Sequence, residues 1–117
     1  MSSKLVSMTN KSSRADFEEI CAVLEEELGA EKLYKIVKNF DDSTVTMATF
    51  EKFYFRTSSY ANLTILFTER KDIQEVDIIG SAGGEGVFNI SWGANSNFAL
   101  KSADIFARYG FNFVEEN

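Results

Sequence analysis

The chain has no histidine, no proline and a single cysteine among 117 residues. Each absence removes a chemistry. Without histidine, Ser-His-Asp and Cys-His nucleophilic sites are impossible within the chain, and so is an imidazole-ligated zinc or iron centre. With Cys21 alone, one chain closes neither a disulfide nor a thiolate metal site nor an iron–sulfur cluster, so no metal and no cofactor is expected. A lone cysteine suits a reducing compartment. No stretch approaches the roughly eighteen apolar residues of a membrane span, and the opening MSSKLVSMTNKSS lacks the apolar run of a signal peptide. A cytoplasmic location is therefore the expectation, and the Asn-x-Ser/Thr matches at Asn10, Asn62 and Asn89 carry no glycosylation signal there. Cations are also few: 12 Lys and Arg against 18 Asp and Glu leave a net charge of −6. Nucleic acid and anionic membrane both draw on clustered cations, so neither is an expected partner. A basic protein partner fits this charge better.

What is present describes one soluble domain. Apolar residues make up 44% and charged residues 26%, and a chain of this size buries roughly two thirds of its unfolded surface. Residues 1–12 read as a flexible arm and 13–117 as a single α+β domain. Ser12 and Ser13 stand where an N-cap belongs, before RADFEEICAVLEEELG. Phe17, Ile20, Cys21, Leu24 and Leu28 form one helical stripe, Gly29 is the stop, and Glu18, Glu19, Glu25, Glu26 and Glu27 make an acid outer face. Residues 31–40 fit a helix or a strand, with β-branched and aromatic content favouring the strand.

From Thr44 the pattern alternates. Val45 and Met47 share a face, Phe50 takes the other, and Phe53 and Phe55 return to the first, which suggests a bulge or a strong twist near Thr49–Lys52. Ala61, Leu63, Ile65 and Phe67 point inward along the next strand, and Val76 and Ile78 along the one after. VFNISW reads as a further strand through Phe88, Ile90 and Trp92. GANS then caps a helix carrying Phe98, Ile105, Phe106 and Tyr109 on its apolar side, with Gly110 as its stop. Phe111 and Phe113 of the tail are expected to pack back on the body. The fold class is thus α+β: an antiparallel meander of four to five strands with an N-terminal and a C-terminal helix packed on one face.

Four of the seven glycines, Gly80, Gly83, Gly84 and Gly86, crowd one loop. Their spacing matches neither G-x-G-x-x-G nor the Walker pattern, and a strand is expected to follow, so the loop reads as a turn and not a phosphate cradle. Cys21 sits on the apolar stripe and reads as a small buried hydrophobe. The acids at Asp41–Asp42 and around Asp72, Glu75 and Asp77 lack calcium-loop spacing. Glu51 is either a carboxylate among Phe50, Phe53 and Phe55 or an exposed strand glutamate. Rings on both sides of one strand (Phe50, Phe53, Tyr54, Phe55) suggest an uncovered face that serves as an interface or a pocket wall.

Glu51-Lys52-Phe53, the polar turn Ser58 to Tyr60, the alternating strand Leu63 to Phe67 and Gly83-Gly84 before the last helix resemble a group of small Firmicutes proteins that share a domain of unknown function. The resemblance spans the C-terminal two thirds and implies a bacterial α+β cytoplasmic domain, with no activity attached. The function expected is a non-enzymatic interaction module, with a homodimer and an immunity- or antitoxin-like role as its specific versions. Its contacts would run through Glu18, Glu25, Glu26 and Glu27 to a basic partner, and through the aromatic strand. The alternative is a small-ligand domain with a pocket between sheet and helices, lined by Phe, Tyr and Trp92 and anchored by Glu51. A histidine-free enzyme is the third reading.

Overall fold

A computed structural model describes residues 2–55, 58–82 and 88–114, with side chains described over 3–55, 58–81 and 98–114. Along the chain the elements are β1 (Ser2–Asn10), α1 (Phe17–Leu28), β2 (Glu31–Asn39), β3 (Ser43–Tyr54), β4 (Ser59–Arg70), β5 (Gln74–Ala82), α2 (Phe88–Arg108) and β6 (Asn112–Phe113). They build one antiparallel sheet of six strands in the order β2-β3-β4-β5-β1-β6. The α+β architecture with a helix near each end matches the sequence expectation, with more strands than expected. β2 to β5 are the meander. Residues 31–40 take the strand alternative.

Alternation decides what faces the helices. Ala48 and Phe50 of β3, Ala61, Leu63, Ile65 and Phe67 of β4, Val76 and Ile78 of β5, and Val6 and Met8 of β1 are all buried on one side. The stripe of α1 and Phe98, Ala99, Ile105 and Phe106 of α2 complete that core. Rings lock it: Phe17 stacks on Phe67 with centroids 4.5 Å apart, and Phe111 meets Phe106 edge-on at 5.3 Å. Gly29 ends α1 at φ 66°, a left-handed position that glycine takes without strain.

Five expectations need correction. The arm expected over 1–12 contains β1, whose alternating Val6 and Met8 are masked in sequence by serines; it pairs with β5 along its whole length. Ser12 and Ser13 do not cap α1; Asp16 does, accepting from the Glu18 amide at 3.0 Å. β3 has no bulge, because its register with β4 runs unbroken from Ser43 opposite Arg70 to Tyr54 opposite Ser59. Both faces of β3 carry apolar side chains, and that mimics a slip. The register shift lies instead in β2, between Lys32 and Tyr34. Phe88, Ile90 and Trp92 belong to α2 and not to a strand; Phe88 and Trp92 also stand at helical i, i+4 spacing. Finally, Phe111 packs inward as expected, whereas Phe113 is 57% exposed.

Candidate interaction surface

Both helices cover one side of the sheet, and among the described residues nothing covers the other. Strand register places its side chains in rows. One row runs Leu5, Ile79, Thr64, Thr49, Tyr34 from β1 to β2, and the next runs Ser7, Asp77, Leu66, Met47, Ile36. Leu5, Ile79, Leu66, Met47, Ile36 and Tyr34 are each between 37% and 73% exposed. Above these rows lies a polar one with Asn62, Glu51 and Glu31, and below them one with Glu75, Thr68, Val45 and Lys38. An apolar centre with a polar rim is the composition of a contact surface.

Among the expected aromatic residues, Phe53 and Phe55 extend this bare face at its upper end. Their centroids are 5.1 Å apart, and Tyr60 stands 4.9 Å from Phe53. Phe50 is fully buried against the helices instead. Tyr54 lies on the Phe50 side, with the Lys52 ammonium 5.0 Å from its ring centroid. Burial lowers the pKa of that lysine and raises that of the Tyr54 hydroxyl, and neighbouring Lys101 lowers the lysine's further. The side chain of Trp92 lies outside those described. Glu51 is half-buried on the Met47 side, opposite Glu31 and Asn62. It therefore stands on the far side of the sheet from any space between sheet and helices.

Residues 6–110 match a family of unknown function. The chain belongs to DUF6054. The match begins inside β1 and ends just past α2, so the strand hidden in the expected arm is part of the family's domain. No curated protein and no solved structure shows a match. Among the described residues of this DUF6054 chain, no three acids or cysteines gather to hold a metal, and no helix is long and apolar enough to cross a membrane.

The acid face of α1 in this DUF6054 domain is largely engaged within the fold. Glu18 bonds Lys35 and lies 4.0 Å from Lys32. Glu25 accepts from the Lys32 amide at 3.2 Å. Glu27 takes both guanidinium arms of Arg108, at 2.7 and 2.8 Å, which holds its carboxyl below the usual range. Glu26 is exposed. Of the glycine loop, Gly80 lies in β5, opposite Lys4 and Leu63, while residues 83–87 lie outside the described residues.

Sequence reading missed a buried polar junction. Asn10 and Gln74 are wholly buried at the paired ends of β1 and β5. The Gln74 Oε1 accepts from Asn10 Nδ2 and from the Ala15 amide, and its Nε2 donates to the Ala15 carbonyl, each at 2.9 Å. Asn10 Oδ1 accepts from the Ser12 and Ser13 amides at 3.3 Å. The junction ties β1, β5 and the approach to α1 together. Its only sequence signal was an Asn followed by a Ser-Ser turn, an Asx arrangement.

Proposed function

We propose that this domain is a protein-interaction module whose contact surface is the helix-free face of the sheet. One observation carries the reading: Tyr34, Ile36, Met47, Leu66, Ile79 and Leu5 lie side by side, exposed, within two adjacent rows. An antiparallel sheet that turns one face to water ordinarily alternates apolar-in with polar-out. Here each of five strands also places at least one large apolar side chain outward, among threonines, serines and acids, and desolvating these against a partner is favourable at about 25 cal/mol per Å². A basic protein partner is the second reading, supported by Glu31, Glu51 and Asp77 standing on or beside the same patch.

The test places a photocrosslinking residue at Met47 or Leu66 in the cell that makes the protein, with Ala22 on the exposed side of α1 as control. Discrete adducts are expected from positions 47 and 66 and none from 22. An absence of adducts from the two face positions, or the same adducts from Ala22, overturns the reading.

A further inference from the structure

Resting on that reading, we infer that the occupant of the helix-free face is a second copy of this chain, stacked face to face about a two-fold axis that runs across the strands. Three observations point there.

The first is area. Five strands about 4.8 Å apart and eight residues of about 3.3 Å each make a face of roughly 24 by 26 Å, on the order of 600 Å² before corrugation. Two such faces together bury about 1,200 Å², the lower end of the range for specific interfaces, so one flat partner of the same size can cover the patch whole. The second is the state of the sheet edge. β2 could instead pair edge to edge with its copy, but Lys32, Lys35 and Lys38 line that strand and its register is broken between Lys32 and Tyr34. Lysines and irregular register are the devices that discourage edge pairing, which leaves the face.

The third is how the rows meet. A two-fold across the strands, passing between the Tyr34 row and the Ile36 row, lays each strand antiparallel on its own copy. It exchanges those two rows with each other and the Glu31 row with the Lys38 row. Tyr34 of one copy then meets Ile36 of the other, Thr64 meets Leu66, and Thr49 meets Met47. Lys38 meets Glu31 at both ends and no acid lies on an acid, while Asp77 falls on Ile79 and Glu51 on Val45. An axis along the strands would set Lys38 against Thr9 and leave its charge without a partner. Two sheets stacked near-parallel with interdigitating inner side chains are an ordinary sandwich, here completed by symmetry.

The test is sedimentation velocity of the full chain over a range of concentrations. A dimer is expected for the natural sequence. Lys38→Glu and Glu31→Lys should each weaken it about tenfold, since each change sets two like-charge contacts, and the double change should restore it. Both positions are exposed, so the fold is unaffected, and circular dichroism checks this. A monomer at every concentration, or a dimer that the double change fails to restore, overturns the inference. In either case the interaction surface itself stands if Met47 and Leu66 still crosslink to other proteins. A dimer that survives Leu66→Glu also overturns the inference, because it forms through another surface.

Discussion

Gln74 joins the chain's first strand to its fifth, and replacing it tests whether a polar junction or apolar packing holds the N-terminal segment. Gln74→Ala removes three hydrogen bonds of 2.9 Å. At about 1 kcal/mol net for each, the loss is about 3 kcal/mol, with the Asn10 amide left partly unmatched in a buried site. Domains of this size are stable by about 5–15 kcal/mol, so this is a large fraction. With 117 residues and about 2.1 cal/mol/K of unfolding entropy per residue, the melting temperature should fall by roughly 12 °C. Gln74→Met separates polarity from volume, because it fills the same space without the bonds and should cost nearly as much. Gln74→Glu keeps both acceptor roles but sets a carboxylate against the Ala15 carbonyl. It should be destabilised at neutral pH and recover on acidification, where the protonated acid donates again. Urea titrations followed by circular dichroism give the midpoints, with unchanged slope as the check that only stability has moved. A loss below about 1 kcal/mol for Gln74→Ala, with Gln74→Met equal to the natural chain, refutes the reasoning.

Two other perturbations have signed outcomes. Burial pushes the Cys21 thiol from 9.0 up to about 12, so the native protein should resist a thiol-reactive disulfide at pH 8 and react fully once unfolded. Because the folded value lies above the unfolded one, this contribution to stability is intact below about pH 9 and falls by about 1.4 kcal/mol per unit as pH rises towards 12; Cys21→Ala should flatten that alkaline slope, and an unchanged slope would count against burial as its cause. Gly110 sits at φ 100° with space for a Cβ only 2.8 Å from Ser13 Oγ and 3.0 Å from Asn10 Oδ1, whereas Gly29 at φ 66° opens on empty space. Gly110→Ala should therefore cost more than Gly29→Ala, about 2–3 against about 1 kcal/mol in the same unfolding assay, and the reverse order would be evidence against the close approach.

The parts of the fold legible in sequence are those where one period dominates. The α1 stripe, the alternation of β4 and β5 and the left-handed Gly29 follow from 3.6-residue and 2-residue periods and from glycine's freedom at positive φ. β1 was not legible, because its buried positions are Val6, Met8 and the polar Asn10, while Leu5 stands outward among serines and a threonine. The start of α2 was hidden by an accidental alternation of Phe88, Ile90 and Trp92 just before a Gly-Ala-Asn-Ser run. At the candidate surface, sequence pointed to an uncovered face but not to its composition. The rings of β3 divide, Phe50 going to the core and Phe53 and Phe55 to the far side, while the centre of the bare face is aliphatic and drawn from five strands. Only pairing register brings Leu5 beside Ile79 and Met47 beside Ile36, and residues so far apart in the chain leave no local pattern.

Register also relocates the charge that a partner would sense. Read along the chain, the densest acid run is on α1, and a basic partner would be sought there. In the folded domain Glu18 and Glu27 carry cations from β2 and α2, and Glu25 satisfies the Lys32 amide. These pairs are exposed, so each contributes little to stability. They nevertheless cancel the local field, because at physiological salt it decays over about 8 Å. Glu31, Glu51 and Asp77 have no such cation beside them among the described residues; Asp77 accepts only the Ser7 hydroxyl, at 2.6 Å. Their side of the sheet carries acids without cation partners among the described residues, and it is the side that also exposes the apolar rows. Steering and desolvation thus act on the same surface. In the dimer inferred above, Lys38 set against Glu31 would offset part of the repulsion between two acidic faces.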